Sequence, residues 1–180
     1  MKDAVGSSLL VYLVVIIVGI VGACVIASSA YSKAYKAKTN IISIIDKYYL
    51  VNTETINVYN NTTGIIANCF EDETCKTTIN QTLDNMGYHM KVNATICDSA
   101  INKIKSDDGK NNYESVYPKV DSESNYGYCI YKVSERDSSN YYYTVITFSH
   151  LNINVLGIGT LFKTPVYGET RVYYDYSKGA

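Results

Sequence analysis

Five cysteines are the residues of this 180-residue chain best suited to chemistry, and their positions divide them into two groups. Cys24 lies inside an uncharged apolar run, whereas Cys69, Cys75, Cys97 and Cys129 lie beyond it. Thiols downstream of a membrane-type segment predict disulfides and an oxidising, extracytoplasmic compartment. Of the pairings open to them, sequence proximity favours Cys69 with Cys75 and Cys97 with Cys129. Zinc is the competing chemistry, but no spacing is C-x-x-C and neither His89 nor His150 sits in a ligand pattern. Nor do the histidines have a Ser, Cys or carboxylate at a catalytic spacing. "EDE" at 71–73 and "DDG" at 107–109 fit no EF-hand loop and read as acidic turns. The sequence thus predicts no catalytic residue, no cofactor and no metal, and a chain that is not an enzyme.

The elements that carry these residues begin with residues 9–27, which hold no charge and whose polar side-chain groups are the Tyr12 hydroxyl and the Cys24 thiol. That length suits a helix crossing roughly 30 Å of hydrocarbon. The remainder of the chain is the size of one ordinary domain, which gives a division into an anchoring helix, 1–50, and an α+β domain, 51–180. A net charge of -1 with scattered basic residues lacks the footprint of a nucleic-acid binder. Nineteen Tyr, no Trp and many Asn, Ser and Thr favour strands and polar loops. Two signals disagree on orientation. Lys33, Lys36 and Lys38 after the span, against Lys2 before it, would keep the domain in the cytoplasm, whereas the cysteines place it outside. The cysteines weigh more, because a long helix can carry those lysines clear of the bilayer. Asn-x-Ser/Thr sequons at Asn60, Asn61, Asn80 and Asn93 point to exposed loops.

Beyond the span, Tyr31, Tyr35, Ile42, Ile45 and Tyr49 recur at helical spacing, with Lys33, Lys36, Asn40, Asp46 and Lys47 mostly in other directions. No Pro or Gly interrupts residues 23–49, so one rod from about residue 6 to about residue 50 is expected, roughly 65 Å long at 1.5 Å per residue. Gly19, Ala23, Ala27, Ala30 and Ala34 form a small-residue stripe, the type of face through which helices pack closely in lipid. Two processing signals overlap it. "VGAC" at 21–24 is similar to a bacterial lipobox with Cys24 as the acylated residue, and "SSA" ending at Ala30 suits signal peptidase, although the apolar core exceeds a signal peptide's length.

In the domain, residues 51–68 read as a loop with at most a short strand. Cys75, Ile79, Leu83 and Met86 then form a helical stripe that Gly87 ends. Alternation over 88–96 predicts a half-buried strand, and 106–125 is polar enough to be an excursion. "YGYCIYKV" and "NYYYTVITFSH" predict one hairpin. "NINVLGIGTLFKTPV" and "ETRVYYDYS", joined through Tyr167 and Gly168, predict another, with a bend at Gly157 and Gly159. Of Tyr141, Tyr142, Tyr143, Tyr173, Tyr174 and Tyr176, half should face the core. The expected fold is α+β: a long transmembrane and amphipathic helix packed on a small antiparallel sheet, with a short second helix.

A few polar residues, Gly6, a continuous span running on as "AYSKAYKAKTNIISIIDKYY" and a small disulfide-bearing sheet resemble type IV pilin-like proteins, most of all the TadE-like pseudopilins of tight-adherence pilus systems in low-GC Gram-positive bacteria. The resemblance implies cleavage by a prepilin peptidase between Gly6 and Ser7 and packing of the helix with other pilin-like subunits. Such pilins carry Glu five residues past the cut, where this chain has Val11, which implies a minor, tip or initiating subunit or an uncut membrane protein. The expectation is a single-pass structural subunit of a pilus or secretion assembly with its C-terminal domain outside. The alternative is a single-span or lipid-anchored surface protein binding a ligand through its Tyr-rich sheet and 106–125.

Overall fold

The computed structural model describes residues 2–58, 69–70, 73–105, 111–118, 123–124, 126–135, 138–151 and 162–174. Helix α1 runs unbroken from Lys2–Val58, 57 residues or about 85 Å at 1.5 Å per residue. It extends past the expected end, so 51–58 is helix rather than loop. The chain continues through α2 (Glu73–Asn85), β1 (Val92–Asn93), α3 (Ala94–Ile101), β2 (Asn111–Tyr117), β3 (Glu123–Ser124), β4 (Tyr128–Glu135), β5 (Asn140–Leu151), β6 (Phe162–Glu169) and β7 (Tyr173–Tyr174). The class is α+β, as the residue pattern predicts.

The main sheet is antiparallel, ordered β2-β4-β5-β6, and β7 joins β5 beyond the end of β6. The predicted β4–β5 hairpin forms, with Tyr128 opposite Thr147 and Ser134 opposite Tyr141. The second predicted hairpin does not. β6 pairs with β5 from Thr144↔Glu169 to Leu151↔Phe162, and Tyr167 and Gly168 lie within β6 rather than at a turn. Gly157 and Gly159 fall outside the described residues. Pro165 is tolerated because β6 is an edge strand and its missing N–H interrupts no inner ladder.

The polar stretch 106–125 is also corrected in part: 111–117 is a strand, with Asn111↔Glu135 and Tyr113↔Val133 in register. An edge strand needs few apolar residues, so its composition resembles that of a loop. The strand expected over 88–96 shrinks to Val92–Asn93, which pairs with β3. Asn93 then caps α3: its backbone is extended (φ -113, ψ 169), and its side-chain oxygen accepts the Ile96 N–H at 3.0 Å.

Strand β4 is buried on both faces, and that divides the core. On one side Tyr128, Ile130, Tyr143 and Val145 meet Ile41, Ile45 and Tyr49 of α1 and Ile79 and Leu83 of α2. On the other, Cys129, Tyr131, Ile146 and Phe148 meet Cys97, Ala100 and Ile101 of α3. The sequence pattern does not predict this second layer, because it does not predict α3. Both disulfides favoured by proximity are present, with Cα–Cα distances of 5.4 Å for Cys69–Cys75 and 5.8 Å for Cys97–Cys129. The first ties the entry of α2 into the main core, and the second fastens α3 to the far face of β4.

Candidate membrane and helix-assembly site

Helix α1 is two structures end to end. Along 9–26 its large apolar side chains are exposed, from 48% at Val14 to 73% at Tyr12. This helix is long and apolar enough to cross a membrane. Further along, Ala34, Ala37, Ile41, Ile45 and Tyr49 are buried, at intervals of three or four, against β5 and β6. Tyr31 and Tyr35, expected on the packing stripe, are half-exposed instead. The reason is distance. The Thr147 hydroxyl donates to the Ala34 carbonyl at 2.9 Å, and a Cβ on Gly168 would stand 2.6 Å from Lys38 Cδ and 2.8 Å from Ile42 Cδ1. Ala34 lets the helix backbone come within hydrogen-bond distance of β5, and Gly168 leaves room over β6 for the Lys38 and Ile42 side chains.

The small-residue stripe is therefore divided between two environments. Ala34 is wholly buried beneath this chain's own sheet and is not open to a neighbouring helix. Ala30 borders the sheet, and Ala23 and Ala27 are half-buried. Gly19 lies lower, where an added Cβ would touch none of the described residues, and Gly22 is equally open among them. Gly6 and Ser7 are within the helical backbone of α1. Cys24, the residue that the lipobox-like "VGAC" would acylate, is an exposed free thiol beside the stripe.

Around Asp46 and Tyr49 α1 is held by polar contacts. Tyr49 and Tyr143 share a 2.6 Å hydrogen bond between hydroxyls, Tyr173 donates to the Asp46 carboxylate, and Arg171 donates to the Asp46 carbonyl at 3.2 Å. Burial raises the Tyr173 hydroxyl above its ordinary value, and its bond to Asp46 adds to the shift. Tyr141, Tyr143 and Tyr173 face the core and Tyr174 is exposed, close to the expected division, with Tyr176 outside the described residues. The tyrosines thus mostly build the core.

The histidines, unassigned in sequence, flank one feature. Where α1 leaves its apolar run, a groove of about 460 Å³ opens between Val25, Ile26, Ser29 and Lys33 of the helix and His89, Phe148 and His150. His89 Nδ1 is 3.5 Å from an Asp84 oxygen, and Tyr126 donates to the other Asp84 oxygen at 3.2 Å. This is an exposed polar cluster, not a nucleophile with its base. No group of His, Cys, Asp and Glu among the described residues is arranged to hold a metal. Of the acidic turns, Glu73 is in the first turn of α2 and pairs with Lys76 at 3.0 Å, while 71–72 and 107–109 are outside the described residues. Asn80 and Asn93 are not on loops: Asn80 is in α2 and accepts from Tyr128 at 3.2 Å, and Asn93 is the cap of α3. Asn60 and Asn61 fall outside the described residues. The groove had no signature in sequence, because its walls come from residues more than fifty positions apart. Compared with family models, curated proteins and solved structures, the chain finds no match in any of the three.

Proposed function

We propose that this chain is a membrane-anchored, pilin-like structural subunit that associates with similar subunits through the lower half of α1 and holds its disulfide-tied domain outside the cell. The observation that carries the reading is the division of α1. One uninterrupted helix is covered by its own sheet along one face from Ala34 to Tyr49 and exposed over 9–26, so movement of the apolar half must be transmitted to the domain. A flexible tether would not need this. Gly19 and Gly22 support the reading, since helical glycine costs about 1 kcal/mol relative to Ala and no described residue fills the space beside them. A close neighbouring helix would. The disulfides support an oxidising location.

Cys24 supplies the test, being the free thiol of a chain whose other cysteines are paired. Mild oxidation of the full chain in native membranes should give a Cys24-linked dimer, and Ala27→Phe should suppress it while Val14→Phe does not. A chain that stays monomeric under oxidation, or an Ala27→Phe variant that dimerises like the parent, sinks the assembly reading. The mass of the mature amino terminus distinguishes the modes of anchoring. Ser7 first indicates pilin-type processing, acylated Cys24 a lipoprotein, and Met1 an uncut anchor.

A further inference from the structure

We propose that the groove at the foot of the sheet binds the phosphate headgroup of an anionic phospholipid from the bilayer that α1 crosses. The proposal rests on α1 being a membrane span and goes beyond the assembly reading. Its first support is level. Thr147 is bonded to Ala34, and β5 continues from there toward the apolar end of α1. Three residues of strand advance about 10 Å, equal to six or seven residues of helix. His150 accordingly lines the same groove as Val25, Ile26 and Ser29, on either side of Ala27, the last residue of the apolar run. The groove straddles the depth at which hydrocarbon gives way to headgroups.

The second support is chemistry. Val25, Ile26 and Phe148 offer apolar contact for the start of an acyl chain, while Lys33, His89, His150 and the Ser29 hydroxyl bring donors to the same cavity. Lys33 and His150 are exposed and meet no carboxylate among the described residues. Asp84 faces His89 and partly offsets it, leaving Lys33 as the fixed positive charge inside the groove. Lys163 stands opposite His150 in the β5–β6 ladder, and its ammonium donates to the Lys91 carbonyl at 3.3 Å, so two further cations lie at this end of the domain. A basic edge at headgroup depth complements an anionic membrane surface.

The full chain in nanodiscs of mixed phosphatidylglycerol and phosphatidylcholine, released into a mass spectrometer with bound lipid retained, tests this. The parent should retain phosphatidylglycerol in preference to phosphatidylcholine. Lys33→Gln should lower that retention about ten-fold, the loss of roughly one charge-assisted hydrogen bond to a phosphate oxygen. Lys33→Arg should preserve it, and Lys36→Gln, which alters an exposed lysine outside the groove, should leave it unchanged. Equal retention of both lipids, indifference to Lys33→Gln, an equal loss in Lys36→Gln, or a second copy of the chain cross-linked into the groove would each overturn the proposal. An alkaline wash separates the two layers of inference. A chain that stays inserted without lipid preference defeats the headgroup site alone, and a chain that washes out defeats the span.

Discussion

Below Tyr128↔Thr147 the β4–β5 ladder has no further pair, and the Tyr88 hydroxyl takes the place of the missing strand. It accepts the Phe148 N–H at 2.8 Å and lies 2.9 Å from both the Gly127 and Phe148 carbonyls as a donor. Tyr88→Phe should lower stability by about 1–3 kcal/mol in urea unfolding, because it leaves buried backbone groups unpaired. Burial also pushes this hydroxyl up to about 12, partly offset by its bond to the Phe148 backbone. The unfolded value is near 10, so the folded state holds the proton more tightly. Stability should be full below about pH 10 and fall as pH rises through about 12, and Tyr88→Phe should make that fall shallower. Burial raises Tyr128 and Tyr131 in the same direction. Next to this site Gly127 has φ +57, and a Cβ there would stand 2.7 Å from Met90 Cβ and 3.2 Å from the Met90 carbonyl oxygen. Backbone cannot yield as a flexible side chain can. Gly127→Ala should therefore cost more than about 1 kcal/mol, read as a lowered midpoint in the same titration.

Helix α3 shows how an element can be hidden in plain sequence. Alternation over 88–96 suggested a strand, yet Cys97, Ala100 and Ile101 are also spaced at three and four, and they are the residues that α3 buries. Asn93 decides between the two by accepting the Ile96 N–H and starting the helix. Asn93→Ala should cost about 1 kcal/mol and loosen α3, visible as faster amide exchange over Ala94–Ile101. Two hydroxyls clamp this helix to the sheet: Tyr131 donates to Asp98 at 2.9 Å and Tyr167 to the Ala100 carbonyl at 3.0 Å. The clearest elements in sequence were α2, whose buried Cys75, Ile79 and Leu83 follow one stripe, and the β4–β5 hairpin. Strand β2 was not legible, because what makes it a strand is the ladder to β4 and not its own side chains.

Taken whole, the molecule is a rod with a two-sided domain fastened to its upper half, and the disulfides secure its two cores unequally. Cys97–Cys129 spans 32 residues and Cys69–Cys75 spans 6. Chain-entropy reasoning predicts that replacing the first pair with serine costs about 4 kcal/mol and the second about 2 kcal/mol, measurable as the ordering of their thermal midpoints in detergent. The apolar run, the absence of helix breakers, the helical stripe of α2 and the cysteine spacing were determined by sequence alone, since each depends on neighbours along the chain. The use of Ala34, the second core behind β4 and the groove beside Lys33 were decided only by tertiary structure. A stripe of small residues says that something comes close but not what. Here Ala34 meets its own sheet while no described residue covers Gly19, and that distinction is set by the level along the rod at which β5 is bonded, which no local pattern encodes.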